Sequence, residues 1–181
     1  MADLRFERTE YMIQRAFLDL LKTNSFNEIS IAQLAKKSMI DRTTFYAHYE
    51  NLYELAEELI EKNLAPFTIA FETSEKKQKW DRNFDSYSFF TSELIHYLIN
   101  HREELMKVRS LPLGTNGFDA QLRNLCATTY AELTRLSKND FTVFLLVNLA
   151  MSNLDFVIEH QRIPSKAELQ QGLKKMEEFL L

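Results

Sequence analysis

The chain has 181 residues, with 22 Lys and Arg against 26 Asp and Glu, a formal charge of −4 and a pI near 5.6. No global basic field draws such a protein to nucleic acid, so any attraction to DNA is local. One cysteine, Cys126, excludes an intrachain disulfide and suits a reducing cytosol, while only three Gly and three Pro argue for an all-helical protein of one or two domains.

The N-terminus, Met1 to Arg8, has no apolar h-region and is not expected to be a signal peptide. A first helix is predicted from Thr9 to Lys22, with Ile13, Ala16, Phe17, Leu20 and Leu21 on one face. Asn24 and Ser25 supply its stop, Asn being able to take the left-handed conformation. Phe26 and Ile29 are expected to pack beneath a small three-helix domain. Ser30 is a good N-cap for a short second helix carrying Ile31, Leu34 and Ala35. Ser38, Met39 and Ile40 break its period, and Asp41 can cap the next helix. That helix carries Arg42, Thr43, Thr44, Tyr46 and His48, while Phe45 and Tyr49, four apart, can face inward. Polar donors on one face and aromatic anchors on the other suit a DNA major groove.

Further along, Asn51 can cap a fourth helix holding Leu52, Leu55, Ala56, Leu59 and Ile60, which Pro66 is expected to kink or end near Ala65. Thr73 to Arg82 reads as a polar linker. The apolar pattern resumes from Phe84 to Ile99, through Tyr87, Phe90, Leu94, Tyr97 and Leu98. His101 to Ser110 is a separate short helix, and Leu111 to Gly117 a loop with two of the three glycines. A helix from Phe118 to Leu136 sets Leu122, Leu125, Cys126, Thr129 and Leu133 on one side. Cys126 in that pattern reads as a buried small hydrophobe before a redox sensor.

Asn139 can cap a helix from Asp140 to about His160 that is apolar nearly all the way round, and such a helix must be covered on every face. Its most apolar run, Phe141 to Met151, is too short to span a bilayer, so a soluble cytoplasmic protein with no membrane partner is expected. After Pro164, Ser165 and Glu168 form a capping-box signature for a final helix with Leu169, Leu173, Met176 and Leu180 in a narrow seam beside Gly172. These two helices are expected to bury one side in their own domain and the other against a second subunit. The interface would use Leu146, Leu154, Val157, Leu169, Leu173, Met176 and Leu180.

The segment Arg42-Thr43-Thr44-Phe45-Tyr46-Ala47-His48-Tyr49 resembles the recognition-helix core of the TetR/AcrR family of bacterial one-component regulators. Ile31-Ala32-Gln33-Leu34-Ala35 is similar to that family's scaffold helix, and Glu54-Leu55 falls where its next helix begins. The resemblance runs from Arg8 to about Leu59; beyond it the chain is alike only in length and helical texture. It implies an all-α fold with a helix-turn-helix DNA-binding domain over residues 1–50 and a helical effector-binding and dimerisation domain over 51–181. It further implies a homodimer on a palindromic double-stranded operator, with repression relieved or modulated by a small-molecule or protein effector.

Two departures stand out: Met39 replaces the Gly usual in the inter-helix turn, and Glu50 and Leu52 stand where Lys often reaches phosphate. Through Leu52 the chain has seven Lys and Arg against seven Asp and Glu. Modest affinity with few phosphate ion pairs, or an operator held partly by neutral donors and helix N-termini, is therefore expected. Arg42 and Thr43 are assigned to base edges; Thr44, Tyr46 and His48 to phosphates. Arg8, Thr9 and Ser30, at helix starts, also face the backbone, and Lys37 can reach phosphate or simply be solvated.

Phe90, Tyr97, Tyr130, Phe144 and Asn148 are the candidates for an effector pocket, against the plainer reading of core. Asn148, Ser152 and Asn153 would need partners in a buried helix. Glu93 and His96 form half of a di-iron carboxylate motif, but no second Glu-x-x-His exists. No metal, cofactor or catalytic residue is expected, and the protein reads as a regulator rather than an enzyme. The rival reading is a helical protein-interaction module or coactivator with weak or no DNA binding, favoured by the missing basic excess.

Overall fold

In the computed structural model, residues 4–77 and 91–180 are described, apart from the side chains of 73–77 and of Ser92. Nine α-helices and two 3-10 turns are the regular elements among them, so the protein is all-α. The helices are α1 (Leu4–Leu20), α2 (Ile31–Lys37), α3 (Arg42–Tyr46), α4 (Leu52–Lys77), α5 (Ser92–Asn100), α6 (Arg102–Arg109), α7 (Phe118–Thr134), α8 (Phe141–His160) and α9 (Lys166–Leu180).

The chain divides into two compact units. One comprises Met1–Leu64 with Glu103–Gln121, the other Ala65–Arg102 with Leu122–Leu181. The expected boundary at residue 50 falls inside the first unit, and α4 and α7 each begin in one unit and end in the other.

In the first unit, α1 starts at Leu4, five residues before the expected Thr9, because nothing in Leu4 to Arg8 opposes a helix and Glu7 suits its positive end. Ile13, Ala16, Phe17 and Leu18 turn inward, while Leu20 and Leu21 are only half-buried. Asn24 ends the helix through its side-chain amide, which donates to the Leu20 carbonyl (3.0 Å), and not through a left-handed backbone. Phe26 packs edge-on against Phe17 (6.1 Å) and Tyr53 (4.9 Å), as its place beneath the small domain requires. The later stretch makes polar contacts with the first: Asn63 donates to Glu104 (3.1 Å) and Asn116 donates to Glu57 (3.1 Å). Within it, Arg109 forks onto Asp119 (2.7 and 3.0 Å).

Asn51 caps α4 as expected, its Oδ1 accepting from the Tyr53 and Glu54 amides (2.8 and 3.1 Å). Of the two outcomes expected at Pro66, a kink or an end near Ala65, the end is absent: α4 runs through Pro66 to Lys77. An interior proline costs about 3 kcal/mol, and burial of Phe67, Ala70 and Phe71 beyond it offsets that. Thr73–Lys77 are thus helical rather than linker, and residues 78–90, with the start of the next expected helix, lie outside the described residues.

In the second unit, α5 is capped by Thr91, whose hydroxyl accepts from the Leu94 amide (3.3 Å). Leu94, Ile95 and Leu98 from α5, Leu122, Cys126 and Tyr130 from α7, and Val143, Val147, Met151, Leu154 and Val157 from α8 are buried. Cys126 is sealed, and burial pushes its thiol up to about 12, so it behaves as the small hydrophobe expected of it. Leu133, expected on that buried side, is exposed.

The cap of α8 is Asp140, which accepts from the Thr142 amide (2.8 Å), and not Asn139. Among the described residues α8 alone, taken over its whole length Phe141–His160 rather than the apolar run Phe141 to Met151, is long and apolar enough to cross a bilayer by length and composition; one side of it forms core. Its first turns leave Phe141, Phe144 and Leu145 exposed. Ahead of α9, Ser165 and Glu168 exchange capping hydrogen bonds (2.8 and 3.2 Å), and Arg162 forks onto Glu168. That guanidinium, with the Ser165 amide, holds the Glu168 carboxyl at about 2. No residue of α9 is buried.

Candidate nucleic-acid interface

The first unit builds a short helix, a turn and a second short helix from local rules. Ser30 caps α2 reciprocally with Gln33: the Gln33 amide donates to Ser30 Oγ (3.2 Å), and the Ser30 amide to Gln33 Oε1 (2.8 Å). Lys36 and Lys37 suit the negative end of α2. The turn that follows is a Schellman motif. The Ile40 amide donates to the Ala35 carbonyl (3.0 Å) and the Met39 amide to Lys36 (3.3 Å), with Met39 left-handed at φ 56°. Met39 thus takes the glycine conformation while carrying a side chain, which is 88% exposed. Beneath it, the buried Ser38 hydroxyl donates to the Leu34 carbonyl (2.7 Å).

Asp41 opens α3 by accepting from the Thr44 amide (2.6 Å), which holds its carboxyl below the usual range. Phe45 and Tyr49 are completely enclosed and anchor α3, their rings 5.8 Å apart. On the other side Arg42, Thr43 and Tyr46 are exposed and Thr44 is half-buried. Enclosed aromatics and exposed polar side chains thus share the short segment from Arg42 to Tyr49.

The remaining candidates divide. Lys37 is exposed at the end of α2. Because α1 begins at Leu4, Arg8 and Thr9 lie in its second turn rather than at a helix start, and the Thr9 hydroxyl donates back to the Arg5 carbonyl (2.9 Å). Ser30 does stand at a helix start, with its hydroxyl engaged by the Gln33 amide. His48 is half-buried and stacks on Phe6 (4.0 Å, 28°).

The amides at the start of α4 are also engaged, by Asn51 and by the Glu54 carboxylate, which accepts from the Glu50 amide. Some of the amides at these helix starts are engaged by the protein's own side chains: those of Ser30 and Gln33 by each other's side chain, that of Thr44 by Asp41, those of Tyr53 and Glu54 by Asn51, and that of Glu50 by Glu54.

One constellation was not anticipated. Gln14, almost fully buried, donates to the Tyr49 hydroxyl (3.2 Å) and to Glu58 (2.7 Å), and its carbonyl accepts from Lys62 (3.0 Å). Tyr49 in turn donates to Glu10 (3.5 Å). Burial first, then the Glu10 charge, raises the Glu58 carboxyl above its usual range, and burial raises the Tyr49 hydroxyl. The network ties the end of the α3 segment to α1 and α4. Its sequence signal was the spacing Glu10, Gln14, Leu18, a second inward stripe on α1 beside Ile13 and Phe17.

In the second unit the effector candidates do not share an environment. Tyr130 is buried with its ring edge toward Phe71 (6.5 Å), and Tyr97 is half-buried and stacked on His101 (4.3 Å). Phe144 is exposed, and Asn148 accepts from Arg123 (2.9 Å) while donating to the Phe144 carbonyl (2.9 Å). Phe90 lies outside the described residues. Ser152 is exposed and Asn153 buried. Of the expected interface, Leu154 and Val157 are core and cannot face a partner; Leu146 and Leu169 are half-buried, and Leu173, Met176 and Leu180 are exposed. Among the described residues no group of three or more His, Cys, Asp or Glu could hold a metal ion.

No protein-family model matches the chain. Part of it is 41% identical, over 64 residues, to the uncharacterized HTH-type transcriptional regulator YxbF of Bacillus subtilis (strain 168), covering 35% of this chain and 17% of that protein. Another alignment is 33% identical over 57 residues to the HTH-type dhaKLM operon transcriptional activator DhaS of Lactococcus lactis subsp. lactis (strain IL1403), covering 32% of this chain and 30% of that one. The chain thus spans less than a third of either relative's length, and the similarity is to HTH-type transcriptional regulators.

Proposed function

We propose that this chain is a DNA-binding transcriptional regulator of the TetR/AcrR type that acts as a homodimer on a palindromic operator. The observation that carries the reading is α3 and the turn after it: Phe45 on the helix and Tyr49 just beyond it are enclosed, while Arg42 and Thr43 of the same short helix are exposed. Arg42 would fork onto guanine, and the Thr43 methyl would meet thymine. Thr44, Tyr46, His48 and Lys37 would then reach phosphates, with Arg8 from the second turn of α1. Similarity to two HTH-type regulators supports the same function.

Dimerisation is supported by apolar surface left open in the second unit: Phe141, Phe144 and Leu145 on α8, and Leu173, Met176, Phe179 and Leu180 on α9. Large apolar side chains left exposed on two helices suit an interaction site, and a stable pair would bury about 1,600 Å². Two recognition helices related by a two-fold axis read half-sites about one helical turn or more apart. An effector in the second unit, small molecule or protein, would release the operator by favouring a different separation of the heads. Repression in the cytoplasm is the proposed mode, although the Lactococcus relative is named an activator.

The test is binding to fragments of the promoters flanking its own gene at two salt concentrations. Sequence-specific retention at the higher salt supports the reading. Equal binding to all fragments, or none, would instead favour a helical interaction module, for which the even charge of the head speaks.

A further inference from the structure

Phe6 lies near the start of α1 and His48 just beyond α3, 42 positions apart in sequence, yet their rings stack at 4.0 Å and 28°. Of the two His48 nitrogens only Nδ1 is enclosed, and it has no hydrogen-bond partner among the described residues. Phe6 itself remains 46% exposed, so its ring is a cover rather than a core element.

An enclosed N–H without an acceptor is the rarest and least favourable kind of orphan, whereas an enclosed acceptor is better tolerated. The ring therefore keeps its proton on Nε2, at the less enclosed edge, and leaves the Nδ1 lone pair under the cover. An Nε2–H at the less enclosed edge of a ring held by stacking is a hydrogen-bond donor fixed in place, suited to a phosphate oxygen. We propose that Phe6 is a positioning residue for DNA binding: its stack on His48 selects the Nε2–H tautomer and aims it at a backbone phosphate. This rests on the DNA-binding reading and adds to it a residue outside the helix-turn-helix. It also adds a phosphate contact to a head with seven Lys and Arg against seven Asp and Glu through Leu52.

The experiment compares the full-length protein with Phe6→Ala, Phe6→Leu and Phe6→Tyr. The DNA probe is a duplex selected from random sequence on the wild-type protein, and the histidine tautomer is read by 15N NMR near pH 8. The wild type is expected to show the Nε2–H signature at His48, and Phe6→Tyr to retain it. Phe6→Ala and Phe6→Leu should give a mixed tautomer and binding roughly five- to tenfold weaker, as for loss of one hydrogen bond to a charged group. The slope of affinity against salt should not change, because no charge is removed. An unchanged tautomer in Phe6→Ala overturns the proposal whatever the affinity does, and so does a shifted tautomer with undiminished binding. If selection recovers no duplex, the DNA-binding reading fails, and the phosphate role with it. The tautomer comparison still decides whether Phe6 orients the ring.

Discussion

Replacing Met39 by glycine should stabilise the protein, although it deletes a large side chain. Met39 sits at φ 56° in the Schellman turn between α2 and α3, and its side chain is 88% exposed, so almost no packing is lost. A left-handed backbone costs an L-residue about 1–2 kcal/mol, and glycine escapes that. Against this, glycine gains more freedom in the unfolded chain, a loss of about 0.5–1 kcal/mol. The balance is a gain of about 0.5–1 kcal/mol, or roughly 1–4 °C in Tm for a chain of this size. Met39→Ala keeps the strain and should match wild type, while Met39→Asn, which tolerates the left-handed region, should fall between Ala and Gly. Chemical and thermal unfolding of the four proteins would be compared by circular dichroism. DNA affinity should stay within about twofold, because the Ile40–Ala35 and Met39–Lys36 hydrogen bonds that aim α3 are untouched. The order Met above Gly would refute the reasoning, since it would mean that the methionine side chain, and not the backbone, holds the turn.

The Arg42→Ala variant should lose roughly 1–3 kcal/mol of operator binding and relax specificity at one base pair per half-site. Its thermal stability should match wild type, and an unchanged affinity would remove Arg42 from the base readers. For Glu58 the sign follows from a carboxyl raised by burial and by Glu10. Its stabilising contribution is complete below the ordinary carboxylate pKa and is lost as pH rises through the raised folded value. Glu58→Gln keeps the acceptor for Gln14 and should therefore raise Tm at pH 7 by a small margin that vanishes near pH 4; a margin independent of pH would show that charge is not involved. Leu173→Glu with Met176→Lys changes two residues exposed in the subunit, so helicity should persist while sedimentation shifts to monomer. DNA binding should then fall steeply for want of the second half-site. A wild type that is itself monomeric at micromolar concentration would end the argument for a palindromic operator.

Local chemistry settled much of this protein in advance. Ser30, Asp41, Asn51 and the Ser165–Glu168 pair cap helices where their residue types say they should, because a cap needs only an oxygen within three residues of an orphan amide. Phe45 and Tyr49 turn inward because their spacing puts them on one face. The same logic misjudged boundaries wherever distant burial outweighed a local signal. Pro66 did not stop α4, because apolar side chains beyond it are buried, and Asn139 yielded its cap to the neighbouring Asp140. Periodicity could not tell that one stripe of α8 is core while Phe141, Phe144 and Leu145 stay open, since every face of that helix is apolar. Nor could it join Glu103–Gln121 to the N-terminal unit, set Phe6 on His48, or bring Gln14 between Tyr49, Glu58 and Lys62. Those are meetings of residues tens of positions apart. They depend on how helices pack, and hydrophobic spacing specifies which face is buried without specifying which partner covers it.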